Sequence, residues 1–525
     1  MSLTSCKSRA VVAVTFCFLI AYMSFINKNL IKKPLMDFVQ GKKDFRQTTK
    51  TIATNYVSKQ LKYRNKFINL NGLIARRTGR RMYNEVLLLK SNTLSHAKIE
   101  KANDFGKHLE KTVEFANFTK KLKIPFIYVA SPFKVSTSKD NMPLGAEIFA
   151  NENTDIFLKG LSEAGIDTLD LRPLLSSNSE QVNKYFYRTD HHWNPDGAFV
   201  AFQNVMVKIE MIKFENGVFD KKFTNVKFWK RNENKEWFLG SRGKRVGTLF
   251  AGTDSLIWYT PRFSSKMSLV VPHHKQIFKG DFVAANIRKQ YIQKRDYFNY
   301  NAYCVYIGGD YPIVHHRNIT APNKMKVLVL KDSFVLPLQA FMSTEFSELD
   351  VIDPRYYKAS TIAEYILWTK PDLVLLVRNA GTTGYDFGFN NFITDKMKQY
   401  LKKEVLLKDY DVSLTSSKIN HKCEKIPVIL QAGKTYQISF KDAIITQGKT
   451  DGVSILLYDY NKQKIINHEI FDVEFSNLSN KDSRWTFKVP KENSNYALLV
   501  YAGVVGKTKE VGVAYKGIEV SLLSE

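Results

Sequence analysis

Two short segments carry residue types that could do nucleophilic chemistry. The first is Tyr185-Phe186-Tyr187-Arg188-Thr189-Asp190-His191-His192-Trp193-Asn194-Pro195-Asp196-Gly197-Ala198. Asp190 and His192 stand two positions apart, so on an extended segment both side chains point to one side. A carboxylate placed there accepts from one imidazole nitrogen and leaves the other free as a base. The second is Val327-Leu328-Val329-Leu330-Lys331-Asp332-Ser333-Phe334, a buried-strand pattern that runs into a serine. A serine that follows a parallel strand and opens a helix is exposed at the sheet's end. Backbone N–H groups and the helix dipole there favour a developing oxyanion. Together the two segments point to acyl transfer by Ser333, His192 and Asp190.

Each segment also has a plainer reading. The adjacent His191 and His192 suit a surface pair or a fragment of a metal site, but no further ligands follow at metal-site spacing and no metal is expected. Ser333 alone suits a helix N-cap. Lys134, just after Ser131-Pro132, is a candidate substrate contact. His273-His274 and His315-His316 are read as exposed loop histidines.

A regular rhythm of elements must position these residues. Positions 103–121 have helical spacing, with Phe105, Leu109, Val113, Phe115 and Phe118 as the apolar members. A strand-like run at 124–130 follows, then a helical stretch at 154–164 and a strand at 166–171. Asn194-Pro195-Asp196-Gly197 ends the first chemical segment, and 198–209 is a helix candidate. The rhythm resumes with strands at 325–330, 349–353 and 373–377. Short apolar runs alternating with helices predict a parallel sheet covered on both faces. Function in such sheets gathers at the carboxyl ends of the strands. Those ends carry Ser131, Lys331-Asp332-Ser333, Asp353-Pro354-Arg355 and Arg378-Asn379.

Residues 205–320 break the rhythm. They are aromatic and basic, with strand-like patches such as 247–259, and are expected to form a β-rich insertion over the sheet's edge. From about 410 onward, short strands at 435–440, 453–460, 485–489, 496–501 and 511–522 predict a β-sandwich. Its Tyr458, Tyr460, Trp485 and Tyr501 belong either to its core or to a sugar-stacking, carbohydrate-binding face. The expected organisation is an anchor at 1–30, a basic segment at 31–100 with a helix or strand pair around 67–89, a catalytic unit at 101–405, and the sandwich at 410–525.

A chain of 525 residues holds two or three domains. Its net charge of +28 suits either a basic soluble surface or attraction to an acidic glycan or membrane surface. Nucleic acid is not expected as a partner, since there is no metal-knuckle spacing and no RNP-like strand. Four cysteines, of which Cys6 and Cys17 lie at the extreme N-terminus, make no disulfide framework and leave a Cys304–Cys423 bridge open. Lys7 and Arg9 precede seventeen uncharged residues, Ala10 to Ile26, with no small-x-small cleavage site after them. As a helix this run spans roughly 25 Å, against about 30 Å for a bilayer core. The expectation is an uncleaved signal anchor, with the rest of the chain on the extracytoplasmic side of the cell membrane, in preference to cleaved secretion.

Taken together, the segments resemble the SGNH hydrolase superfamily in the circularly permuted form of the alginate O-acetyltransferases and the DHHW proteins. The resemblance covers roughly residues 65–400. It rests on Phe67-Ile68-Asn69, Ser131-Pro132 with Met142-Pro143, Asp190 to Trp193, Lys331-Asp332-Ser333-Phe334 and Asp353-Pro354-Arg355-Tyr356-Tyr357. It implies a flavodoxin-like α/β sheet whose Asp/His block precedes its serine block. It also implies an O-acetyltransferase that works through an acyl-serine on a polysaccharide acceptor, without a cofactor. The acyl donor would be a multispanning membrane acyltransferase partner. Pro371 to Asn379 resembles the family's third block, which assigns oxyanion binding to Asn379. The family's second-block glycine has no counterpart after 349–353; Arg355 stands there, either as a replacement donor or as a structural ion-pair partner. A carbohydrate acetylesterase of the same fold and a non-catalytic glycan-binding or assembly protein remain alternatives.

Overall fold

The computed structural model describes residues 25–42, 44–57, 62–101, 105–383, 407–416, 423–440, 442–448, 452–472, 484–492, 494–504 and 510–523, without 213, 215 and 216, plus isolated positions elsewhere. Most of the Ala10–Ile26 run, with Cys6 and Cys17, lies outside them. Among the described residues no helix is long and apolar enough to cross a membrane.

The apolar runs form the middle of an eight-stranded sheet: β1 Phe126–Ser131, β2 Asp167–Asp170, β3 Met267–Val271, β4 Gln276–Gly280, β5 Ile313–Asn318, β6 Asn323–Lys331, β7 Phe346–Ile352 and β8 Leu373–Asn379. Their order is β4-β3-β5-β7-β6-β8-β1-β2. The five strands from β7 to β2 are parallel, in registers such as Val329 opposite Leu375 and Leu376 opposite Tyr128. β5 joins β7 antiparallel, and β3 and β4 continue that way outward. Part of the insertion, expected from sequence to lie over the sheet's edge, therefore extends that edge as β3, β4 and β5, while its strands Trp229–Phe238 and Asp254–Pro261 pair separately. An open edge of unpaired N–H and C=O groups is satisfied by adding strands.

Alternate residues of β6 face opposite cores. Val327 and Val329 meet helices α3 Pro195–Glu210 and α4 Val335–Met342. Leu328 and Leu330 meet α1 Gly106–Lys121, α2 Ala150–Glu163 and α5 Ile362–Thr369. Helix α3 begins three residues before the predicted 198, because Asn194 caps it by accepting from the Gly197 N–H and Pro195 fills its first turn. Thr361 and Glu364 form a capping box at the start of α5. Phe341 of α4 is ringed by Phe199 and Phe202 of α3 and by Trp229, Tyr259 and Tyr306 of the insertion, with centroids 5.2–5.9 Å away. Emptying that position would cost about 3–5 kcal/mol. The knot clamps together the helices that follow His192 and Ser333.

The region expected to be a helix or strand pair holds both: helix Arg64–Arg77, then short strands at Met82–Tyr83, Val86–Leu88 and Leu94–His96. They pack on Leu239, Val246, Phe250 and Ala251 of the insertion. The C-terminal region is a five-stranded and a four-stranded sheet enclosing one core. Trp485 lies in that core and Tyr501 is 9% exposed, so neither offers a sugar platform; Tyr458 and Tyr460 are partly exposed. Cys304 and Cys423 do not bond to each other.

Candidate active site

Asp190 and His192 sit on a tight loop, not on an extended segment. A bridge between Phe186 and Trp193 closes it, and the Tyr187 N–H donates to the His192 carbonyl at 3.2 Å. The turn brings the two side chains together: His192 Nδ1 lies 2.5 Å from Asp190 Oδ1, and the His192 backbone N–H donates to the same oxygen at 3.1 Å. His192 Nε2 then lies 2.7 Å from Ser333 Oγ, 141 positions along the chain. With Nδ1–H donating to the carboxylate, Nε2 is the acceptor for the serine hydroxyl.

Ser333 occupies the turn between β6 and α4, half-buried between the buried Asp332 and Phe334. Asp332 fixes that turn by accepting from the Phe334 N–H at 3.0 Å and the Asn379 N–H at 2.7 Å. Burial pushes the Asp332 carboxyl up from its ordinary value. Trp193 ties the two loops together, its Nε1–H donating to the Phe334 carbonyl at 2.9 Å.

Asp190 is 1% exposed. Burial works against its charge, but the imidazoles of His192 and His191 and the hydrogen bonds from His192 and Ser241 outweigh it. The carboxyl is held well below the usual carboxylate range. Its second oxygen accepts from the Ser241 N–H at 2.5 Å. Gly240 lets this turn approach: a Cβ there would fall 2.3 Å from Asp190 Cβ and 2.5 Å from Asp190 Cα. Asp254 holds the preceding residues, accepting from the Arg188 and Thr189 N–H groups at 2.6 and 2.8 Å.

Residues from outside the two sequence segments complete the site. The ring of Tyr303 stacks on His192, and its hydroxyl donates to the Ser333 carbonyl at 2.9 Å. His191 turns away from Ser333, with Nδ1 2.9 Å from Ser241 Oγ. Ser241, Gly240, Asp254 and Tyr303 all come from the insertion, where no local pattern distinguishes them from other polar and aromatic residues.

The remaining sequence candidates fare differently. Lys134 is not a substrate contact: it is wholly buried, and its ammonium donates to the carbonyls of Tyr187, Arg188 and Asp190. Arg355 forms the ion pair that was one of its two readings, with Nε and Nη2 on the two oxygens of Asp353 at 2.8 and 2.6 Å. Asn379 donates one amide hydrogen to the Pro132 carbonyl at 2.6 Å and accepts from the Gly381 N–H. His316 is buried on β5, and His315 pairs with Asp350 at 2.8 Å, so neither is a free loop histidine. Asp190, His191 and His192 bring ligand-type atoms within 4.8 Å of one another. A metal ion held by the facing Nδ1 atoms would have to displace the hydrogen bonds that His192 Nδ1 makes to Asp190 and His191 Nδ1 makes to Ser241.

Two family models match the chain. One is described as SGNH hydrolase-like domain, acetyltransferase AlgX, and covers residues 94–233; the other, DHHW protein, covers 173–352. The first spans Asp190 and His192, and the second spans these and Ser333, so the resemblance drawn from the motifs is borne out. Among solved structures, Bacillus cereus PatB1 is similar at 22% identity and a TM-score of 0.50, over 58% of this chain and 98% of that one. A DHHW family protein from Eubacterium siraeum matches at 18% identity and 0.43, over 60% and 98%. Pseudomonas aeruginosa AlgX matches at 12% and 0.38, over 84% and 95%. The likeness to PatB1 is one of fold, the SGNH-like α/β architecture. No curated protein sequence matches the chain.

Proposed function

We propose that this protein is a polysaccharide O-acyltransferase, with acetyl as the group its family likeness favours. The observation that carries the reading is the unbroken relay from Asp190 through His192 to Ser333, at 2.5 and 2.7 Å.

In the proposed first step His192 Nε2 takes the Ser333 hydroxyl proton as Oγ attacks the carbonyl carbon of an acyl donor. Collapse of the tetrahedral intermediate breaks the donor's acyl–oxygen bond, and His192 returns the proton to the leaving oxygen. In the second step a sugar hydroxyl gives its proton to His192 and attacks acyl-Ser333; the proton then returns to Oγ. Asp190 stays ionised throughout and stabilises the imidazolium. For the oxyanion, Asn379 keeps the amide hydrogen not given to Pro132, and Arg355 keeps the Nη1 edge not given to Asp353. One such donor is worth about 3–4 kcal/mol to the transition state.

The acceptor in this reading is a cell-surface or secreted polysaccharide. The donor is a multispanning membrane partner, with the N-terminal segment as anchor and the site on the extracytoplasmic side. The +28 charge supports an anionic glycan or lipid surface nearby. The test is purified protein with an artificial acetyl ester, with and without acceptor oligosaccharide. Acetylated sugar supports the transferase. Free acetate alone, unchanged by acceptor, would make the protein an esterase. No turnover of any ester would favour a binding or assembly role.

A further inference from the structure

Lys134 lies directly behind the loop that bears Asp190 and His192, three residues past the end of β1 and with no solvent exposure. Its Nζ donates to the Tyr187 carbonyl, to Arg188 O at 2.8 Å and to Asp190 O at 2.5 Å. An ammonium has three protons, and here all three go to carbonyls within one four-residue stretch. The same stretch is gripped from its amide side by Asp254, which takes the N–H groups of Arg188 and Thr189 and the Thr189 hydroxyl. The loop's carbonyls therefore converge on a cation, and two of its amides on an anion.

We propose that Lys134 is a positioning residue for the acyl-transfer site: its ammonium gathers the carbonyls of Tyr187, Arg188 and Asp190 and so fixes the backbone from which Asp190 reaches His192. The inference rests on the reading of Ser333, His192 and Asp190 as that site. It replaces the substrate contact that the sequence position of Lys134 suggested.

The grip depends on protonation. A neutral amine offers two N–H donors and turns a lone pair toward the third carbonyl. The charged groups facing Lys134 are Asp254 and Asp190, which favour its proton, and Arg242 and Arg188, which oppose it. Burial outweighs the two carboxylates and pushes its pKa down to about 7. The loop should therefore loosen as pH rises through the neutral range. Misplacing a catalytic group by about 1 Å can cost on the order of 100-fold in rate.

The experiment uses the full chain and two readouts. One is the rate at which phenylmethanesulfonyl fluoride labels Ser333, followed by peptide mass spectrometry. The other is kcat and KM on p-nitrophenyl acetate. Lys134→Met keeps the length and apolar stem but removes all donors, whereas Lys134→Gln keeps two. Lys134→Met should slow labelling and lower kcat by about 100-fold with KM within about twofold, and Lys134→Gln should fall between it and the parent. A folded Lys134→Met protein that labels Ser333 at the parent rate overturns the proposal. If Lys134→Met has no thermal transition, the parent's pH profile decides. Labelling that declines between about pH 7 and 9 supports the clamp, and labelling that climbs or stays level overturns it. Failure of the underlying site reading looks different, because the parent protein itself would then leave Ser333 unlabelled.

Discussion

The rings of Tyr303 and His192 lie face to face, with centroids 3.8 Å apart and planes 7° from parallel. The Tyr303 hydroxyl reaches past the imidazole to the carbonyls of Ser333 and Phe334, at 2.9 and 3.3 Å. One side chain thus touches both the proposed base and the turn that carries the nucleophile. Burial pushes its phenol well above the ordinary tyrosine value, so it stays a donor. It comes from a short 3-10 turn, Ala302–Val305, inside the insertion.

Tyr303 should therefore divide into two effects on substitution. Tyr303→Phe keeps the stacked face and loses the donor, which is worth about 1 kcal/mol, or a several-fold drop in kcat. Tyr303→Ala also loses a stacked pair worth about 0.5–1.5 kcal/mol and uncovers the imidazole, so kcat should fall further, by tens of fold. Steady-state kinetics on a small acetyl ester check this. Equal kcat for the two variants would mean that the stack contributes nothing.

Gly240→Ala is expected to damage the site from behind. Its Cβ would overlap Asp190 at 2.3 Å, and the backbone around Asp190 cannot yield without moving the carboxylate. Overpacking of this kind costs about 1–3 kcal/mol of stability, and activity should fall by on the order of 100-fold. Thermal melts and kinetics on the same preparation separate the two losses. An active, undestabilised Gly240→Ala protein would show that the turn can move away.

Glu345 offers a pH test away from the site. It is 1% exposed, and burial pushes its carboxyl up to about 8. Between its unfolded value near 4.5 and about 8, the folded chain keeps a proton that the unfolded chain has released. This contribution to stability is complete below the unfolded value and declines as pH rises toward about 8. Every tenfold difference in proton affinity between the folded and unfolded chains is worth about 1.4 kcal/mol, so Glu345→Gln should gain on the parent from pH 5 to 8 by up to a few kcal/mol. Chemical denaturation at both pH values checks it. A constant difference would mean that Glu345 titrates normally.

How much of this was legible in the sequence depends on distance along the chain. β1, β6 and β8 are readable because a strand covered on both faces is apolar in a continuous run, as in Leu373–Val377, which is buried throughout. The proposed set of Ser333, His192 and Asp190 can be singled out in the sequence because the residue types, and the strand-end position of Ser333, are local. The shape of the 186–193 loop is not legible, because contacts from Lys134 and Asp254 hold it from outside. The role of Lys134 is not legible locally, since the carbonyls that receive its ammonium lie 53 to 56 positions away. Tyr303 and Ser241 are hidden for the same reason, since they meet His192 and Asp190 only across long stretches of chain. The mutual placement of β5 and β7 is a register between distant strands that no local periodicity encodes.

The central claim is that Ser333 becomes acylated. The most direct measurement is to mix the protein with an artificial acetyl ester, quench with acid in the first turnover and map the modified peptide by mass spectrometry. One acetyl group is expected on Ser333, absent in Ser333→Ala and strongly reduced in His192→Ala and Asp190→Asn. Each of the three variants should lose nearly all turnover, and combined substitutions should lose little more. Acetyl found on another residue, or a Ser333→Ala protein that turns over at the parent rate, would contradict it.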